Sequence, residues 1–346
     1  MKIILIGSEY IQQFPVLDYG GIESCVENLA FGMKKNNLNF KVIVPKRIKK
    51  EDYNFNILES NSNATNISGV SSKEFCQNIE KIIKDEKPDI IWSQSPWSAN
   101  YLNHLNIPMI VTIHDSVTNL VTDKILKKYN NVFYRFVSKS QLELNILEND
   151  EQKIKEKSFY CHTGLSDDEY ELHLEKEKYY LWVAGLNWGL TNKGLDIFIK
   201  LSQDLTNKEF VCYGSGNEQI EQYLKNIKIS NFHYFGKLNR GEEHRKVFKK
   251  ANKFLMLTRL QEAFGRTTIE SLSKGTPVIA TNIGANKELI HPNVGTLINS
   301  YNEIINSIEK CYNTEEVYEY SKKFHVNEEI KNLLKYSNLI LSKGKL

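Results

Sequence analysis

The sequence predicts two doubly wound α/β domains in tandem. Short apolar runs alternate with helix-patterned segments almost throughout, the pattern of a parallel sheet covered on both faces. A highly charged stretch, Leu165–Lys178, marks a boundary, and the alternation restarts after it with a new strand. The length of 346 residues also exceeds the size at which a single hydrophobic core usually stops growing.

The elements follow in order. Met1-Lys-Ile-Ile-Leu-Ile-Gly7 is too short an apolar run for a signal peptide or a membrane span, and reads as a buried first strand near Lys2–Ile6. Further strands are expected near Phe40–Val44, Ile90–Ser93, Met109–His114, Val132–Val137 and Ser158–Cys161. Helices fill the gaps, notably Ile22–Lys35 and Ser72–Asp85. Asn54–Ser72 is rich in Asn and Ser and reads as an exposed loop. The first domain is placed at 1–164 and the second at 178–327. The second has strands at Tyr180–Gly185, Phe210–Gly214, Phe232–Gly236, Phe254–Thr258, Pro277–Ala280 and Val294–Leu297. Gly185, Gly214 and Gly236 stand at strand ends, where a ligand can approach the backbone closely. The tail, 328–346, reads as an amphipathic helix that would pack back on the first domain. Ligands of open α/β sheets bind outside the strand C-terminal ends, so the expected site is the cleft between two domains that face each other.

Composition excludes several classes. A hydrophobic fraction of 41% and a charged fraction of 25% describe an ordinary soluble globular chain. A net charge of +3 is too small to point to nucleic acid. Lys34, Lys35, Lys41, Lys46, Arg47, Lys49 and Lys50 fall close together, with no acid until Glu51. They form either a solvated face or a patch for peripheral contact with an anionic membrane. Cys25, Cys76, Cys161, Cys212 and Cys311 show no CxxC spacing, which suits a reduced, cytoplasmic chain. The histidines show no HxxxH, HExxH or Cys/His ligand spacing, so no structural zinc is expected; no other metal and no cofactor are expected beside the donor substrate. The acidic run Asp167-Asp168-Glu169 sits in the charged boundary segment and is read as solvated. The sequons Asn63-Ala-Thr65 and Asn66-Ile-Ser68 are taken as incidental.

The most informative segment is Glu262-Ala-Phe-Gly-Arg-Thr-Thr-Ile-Glu270. It follows the strand-like Lys253–Thr258 and leads into Ser271–Gly275, the end of a short helix. A strand, a Gly turn at Phe264-Gly265 and a helix start form an anion site, because the first helical N–H groups and the positive end of the macrodipole meet there. Thr267 and Thr268 add hydroxyl donors. On one helix, residues eight apart differ by only about 80° around the axis, so both carboxylates are expected to serve one cleft. Such a pair beside a phosphate site suits a ligand with phosphates and many hydroxyls, a nucleotide sugar. The bland alternative is a pair of acids favoured near a helix start by its dipole.

With Gly275-Thr-Pro-Val-Ile279, this segment resembles the GT-B glycosyltransferases, most closely the retaining family-4 group (glycosyl transferases group 1). Four weaker parts occur in the family's order: Gly20-Gly21-Ile-Glu23, Thr112-Ile-His114-Asp115, Asn192-Lys193-Gly194 and Phe235-Gly236-Lys237-Leu238. The resemblance implies two Rossmann-like domains facing across a cleft. It also implies a metal-independent transfer of a hexose from a UDP- or GDP-linked donor to a saccharide or glycolipid acceptor, as in polysaccharide biosynthesis. Glu262 would meet donor-sugar hydroxyls and Glu270 both ribose hydroxyls. Backbone groups of Phe264, Gly265 and Arg266, with the Thr267 hydroxyl, would grip the diphosphate that Lys193 neutralises. Gly21 would approach phosphate or sugar, His114 the sugar or acceptor, and Lys237–Leu238 would line the base pocket. One departure stands out. The family's arginine after the first glycine of the second domain is absent, since Gly185 is followed by Leu186-Asn187-Trp188. Either Arg266 or Arg259 replaces its charge from the carboxylate motif, or part of the leaving-group stabilisation is lost. Two other readings share the motifs: a nucleotide-sugar epimerase of the same fold, and a degenerate homologue that binds nucleotide sugars without turnover.

Overall fold

A computed structural model describes residues 1–16, 20–63, 69–115, 126, 129–148, 155–186 and 189–346. Asn187 and Trp188, at the place of the expected arginine, lie outside the described residues, as do residues 64–68 of the two sequons. The chain forms two compact units, Met1–Ser166 with Phe324–Leu346, and Asp167–Lys323.

The first unit is built on seven strands: β1 (Lys2–Ile6), β2 (Asn39–Lys46), β3 (Ile57–Asn63), β4 (Ile90–Ser93), β5 (Met109–Ile113), β6 (Val132–Phe136) and β7 (Ser158–Tyr160). All pairings are parallel, in the order β3-β2-β1-β4-β5-β6-β7. Ile3 of β1 stands between Phe40 of β2 and Ile90 of β4. Side chains alternate across the sheet, so β1 feeds two cores. Ile3 and Leu5 pack with Val26 and Leu29 of the helix Gly21–Lys35 and with Ile330 and Leu333 of the helix Val326–Lys343. Ile4 and Ile6 pack with Phe75, Ile79 and Ile83 of the helix Gly69–Glu86.

The C-terminal helix is tied in by polar groups as well. Arg135 and Glu329, both fully buried, pair at 2.7 Å, and Trp92 Nε1 donates to Ser337 Oγ at 2.9 Å. A Cβ on Gly32 would lie 2.7 Å from a Val326 methyl, so only glycine allows this close approach of the first and last helices.

The region expected to be a loop, Asn54–Ser72, instead contains β3 and the start of the second helix. β3 is an edge strand paired only to β2, and its buried Ser60 and Ser62 bond to each other. The basic stretch is less positive than its sequence suggests: Arg47 and Lys50 both pair with Glu59, Lys49 with Glu51, and Lys41 with Glu86.

The second unit carries β8 (Tyr179–Val183), β9 (Glu209–Tyr213), β10 (Phe232–Tyr234), β11 (Lys253–Met256), β12 (Val278–Thr281) and β13 (Gly295–Ile298). The sheet is again parallel, in the order β10-β9-β8-β11-β12-β13. Trp182, Phe198, Phe210, Leu255 and Ile279 anchor one face of its core. The charged segment read as a boundary divides at Asp167, and its remainder belongs to this unit. Glu171 N donates to Ser273 O at 3.2 Å, and Lys176 Nζ donates to Lys249 O and Lys274 O at 2.9 and 2.8 Å. The polar character of the segment therefore serves hydrogen bonding along one unit.

Candidate active site

In each sheet the strand order reverses once, between β1 and β4 in the first unit and between β8 and β11 in the second. Such a reversal opens a crevice at the strand C-terminal ends. In the second unit this crevice is bordered by the segment after β8, which holds Lys193, and the segment after β11, which holds Glu262.

The backbone fixes both residues. Gly194 has φ +74°, and a Cβ on it would fall on Leu257 O, so the turn after Lys193 lies directly on the end of β11. Trp182 Nε1 donates to Lys193 O at 3.0 Å, and Arg259 N donates to Asn192 O at 2.8 Å. On the other side, Ala285 N donates to Glu262 O at 3.0 Å. Gly284, at φ +54°, passes so close that a Cβ would lie 2.6 Å from Glu262 N. With both backbones held, the Lys193 ammonium meets Glu262 Oε1 in a partly buried ion pair.

The helix after this motif spans Arg266–Leu272, with Gly265 at φ +88° before it. Glu262 therefore precedes the helix, and the expectation that both glutamates project from one helix is corrected. Glu270 alone is helical, and it turns inward at 1% exposure. Its Oε1 accepts from Arg240 Nη1 and Arg266 Nε, each at 2.8 Å, and His244 Nε2 lies 3.4 Å from Oε2. Burial alone would raise its proton affinity. Arg240, His244 and Arg266 outweigh that and hold the carboxyl well below the usual range.

Each of the two arginines that could replace the missing charge has a carboxylate partner. Arg266 lies on Glu270, and Arg259 makes a two-pronged pair with Asp196 at 2.8 Å on both prongs. Arg240 and His244 were not singled out from the sequence. The available signal is the mixed-charge segment Asn239-Arg-Gly-Glu-Glu-His-Arg-Lys246 combined with the need of a buried carboxylate for counter-charge.

The remaining positions are spread along the same strand-end edge. Phe264 is buried and Thr267 half-buried. Lys237 is exposed and Leu238 buried. Beside them Phe235 is 58% exposed and stacked on Tyr213, ring centroids 5.4 Å apart. Among the described residues no group of three or more His, Cys, Asp or Glu is placed to hold a metal. Glu169 of the acidic run lies 3.8–3.9 Å from Lys274 and Arg240.

In the first unit, Gly21 begins its helix in the open, with nothing within 4 Å of a built Cβ. His114 directly follows β5, and its Nε2 lies 2.7 Å from Gln94 Oε1.

Residues 167–339 match the family described as glycosyl transferases group 1, and residues 19–144 match glycosyltransferase family 4. An uncharacterized glycosyltransferase of Methanocaldococcus jannaschii, MJ1178, is 24% identical over 328 residues, covering 88% of this chain and 90% of its own. Sucrose-phosphate synthase of Thermosynechococcus elongatus is similar in structure, with a TM-score of 0.77 at 14% identity over 99% of this chain and 100% of that one. Anabaena HepE, solved in complex with UDP and glucose, has a TM-score of 0.70 at 14% identity, covering 97% and 100%.

Proposed function

The chain belongs to the glycosyl transferases group 1 and is a glycosyltransferase of the GT-B fold, and from this premise we propose that it moves a hexose from a nucleoside-diphosphate sugar to a saccharide or glycolipid hydroxyl with retention at the anomeric carbon. The observation that carries the proposal is the Lys193–Glu262 pair at the β8/β11 reversal. It puts a cation for a leaving diphosphate and a carboxylate for sugar hydroxyls at one point. The Anabaena neighbour's UDP and glucose support a donor of this class.

In this mechanism Lys193 and the backbone at Gly265–Thr267 stabilise charge as the C1–O bond breaks, without a metal. Glu262 orients the sugar. The leaving phosphate takes the acceptor's proton on the same face, so no enzyme-bound glycosyl intermediate forms. Glu270 with Arg240 shapes the ribose end, and Phe235 and Leu238 lie beside the base. Exposed Lys34, Lys35 and Lys46, with Ile48 at 91% exposure, favour a peripheral approach to an anionic leaflet. Salt-insensitive behaviour in vesicle co-sedimentation would remove that element.

The test is acceptor-dependent release of nucleoside diphosphate from UDP- and GDP-hexoses, with product configuration read by NMR and the assay repeated in EDTA. The expected result is an α-linked product from an α-linked donor, undiminished by EDTA and lost in Glu262→Ala. Free sugar or an isomer released without acceptor would point to an epimerase, and trapping of a glycosyl-enzyme adduct would overturn the single-step mechanism.

A further inference from the structure

The turn that presents Lys193 is held from the neighbouring strand end. A short helix ends at Asn192, Lys193 and Gly194 form the turn, and the helix Leu195–Asp204 begins. The last carbonyls of a helix have no partner within it, so groups from outside must hold them. Arg259, which follows β11, holds two. Its backbone N–H donates to Asn192 O at 2.8 Å, and its Nη1 donates to Thr191 O. Thr258 Oγ1 adds a longer bond to Asn192 O at 3.3 Å. Across the turn, the same guanidinium grips Asp196 in the first turn of the next helix, Nη1 to Oδ1 and Nη2 to Oδ2, each at 2.8 Å. One residue thus ties together the chain on both sides of Lys193.

Arg259 and Asp196 are 44% and 36% exposed, and an ion pair at such exposure adds little to stability. What the two-pronged pair supplies is direction, because a planar guanidinium fixes the carboxylate in its own plane. Lysine is no substitute, since a single ammonium lacks the fork that reaches Asp196 and Thr191 O together. The Arg259 charge is already matched by Asp196, whereas Lys193 stands at the β8/β11 crevice against Glu262. The fork is also reachable from solvent: Asp196, Thr258 and Arg259 line a cavity of about 620 Å³ together with Ile197, Ile298 and Ile304.

We propose that Arg259 is a positioning residue for the transfer: its fork sets where the Lys193 ammonium stands, and through it how the donor's diphosphate is held. The link to the diphosphate rests on the transferase reading; the placement of Lys193 does not.

The experiment compares the full-length wild type with Arg259→Lys, Arg259→Ala and Lys193→Ala, and with Arg259→Lys combined with Lys193→Ala. One readout needs no nucleotide: the rate at which an amine-reactive ester acylates Lys193, followed by peptide mass spectrometry. Held in its ion pair, Lys193 is expected to react slowly in wild type and several-fold faster in Arg259→Lys. The other readout is the calorimetric affinity for UDP and GDP. Arg259→Lys is expected to weaken the bound diphosphate by about five- to tenfold, and to add nothing in the Lys193→Ala background. Guanidinium ion, small enough for the cavity, is expected to restore Arg259→Ala and not Lys193→Ala. The melting temperature of Arg259→Lys should stay within about 4 °C of wild type. Asp196→Asn, which keeps Arg259 but loosens the fork, should shift both readouts the same way and decides the matter if an Arg259 variant does not fold. Unchanged Lys193 acylation in Arg259→Lys and Asp196→Asn overturns the proposal. So does an equal loss of diphosphate affinity in the Lys193→Ala background, which would put Arg259 on the phosphate itself. Faster acylation with diphosphate affinity unchanged in Lys193→Ala would count against the transferase role of Lys193 and leave its placement by Arg259 standing.

Discussion

Replacing Glu270 with Gln isolates the electrostatic centre of the second unit. The wild-type carboxylate is 1% exposed and lies between Arg240 and Arg266, each at 2.8 Å. With charge centres about 4 Å apart, each pair contributes on the order of 4 kcal/mol of gross attraction at an effective dielectric near 20, offset by the desolvation of all three groups. Removing one member of such a set leaves buried like charges, which typically costs about 3–5 kcal/mol. For a unit the size of Asp167–Lys323, each kcal/mol lowers the melting temperature by about 2–4 °C, so a drop of roughly 6–20 °C is expected at neutral pH. The sign of the pH dependence follows from the lowered proton affinity of Glu270. Its stabilisation is complete above the unfolded glutamate value of about 4.3 and is lost as pH falls toward the folded value. The gap between wild type and Glu270→Gln, followed by calorimetry, should stay constant from about pH 8 to 5 and narrow only below about pH 4. A shift under about 2 °C at pH 7, or a gap that closes between pH 7 and 5, would refute the balanced buried-charge account.

Gly194→Ala places a methyl on Leu257 O at a φ of +74°, so both thermal stability and transfer should fall, the latter because Lys193 is displaced; unchanged kcat with a small stability loss would detach Lys193 from the chemistry. Arg135→Met leaves Glu329 buried without its partner and should cost about 3–5 kcal/mol, exposing the C-terminal helix to limited proteolysis, whereas Arg135→Met combined with Glu329→Met should recover much of that loss. Gly32→Val should undock the same helix, read as early proteolysis near Val326 and a lower melting temperature.

The two-domain α/β plan was legible because parallel strands buried on both faces must be runs of apolar residues, as Lys2–Ile6 and Met109–Ile113 are. β3 escaped because an edge strand needs only one paired side, so Glu59, Ser60, Asn61 and Ser62 suffice for it. The motifs around Lys193 and Glu262 were legible as sequence, and the reversal of strand order explains why those two meet. Glu262 and Glu270 do not share a helix, and one residue decides it. Gly265 takes a left-handed conformation and starts the helix after Glu262, which no periodicity reports. Beside the local Arg266, Glu270 takes Arg240 and His244, some thirty residues away, as partners, and Glu9 gains its setting from Ser72 and Ser95. Burial and long-range pairing of this kind are not encoded in local spacing.

The fixed charges of the second site point to one further prediction. Arg259 is held by Asp196, Arg266 by Glu270, and Lys193 by Glu262. On the proposed donor chemistry, a diphosphate that takes Lys193 away from its carboxylate would break the Lys193–Glu262 pair, and the same event would free Glu262 to meet the sugar hydroxyls. Binding of the leaving group and engagement of the sugar are then coupled through one exchange of partners. If so, Glu262→Gln should separate the two halves of the role. The released ammonium should bind free UDP or GDP more tightly, by about 1–2 kcal/mol or roughly 5- to 30-fold for a partly buried charged pair, while transfer is lost. Titration calorimetry of the nucleotide against both proteins decides it. Weaker nucleotide binding in Glu262→Gln would mean that the carboxylate supports Lys193 in its phosphate-binding position, and the exchange would have to be abandoned.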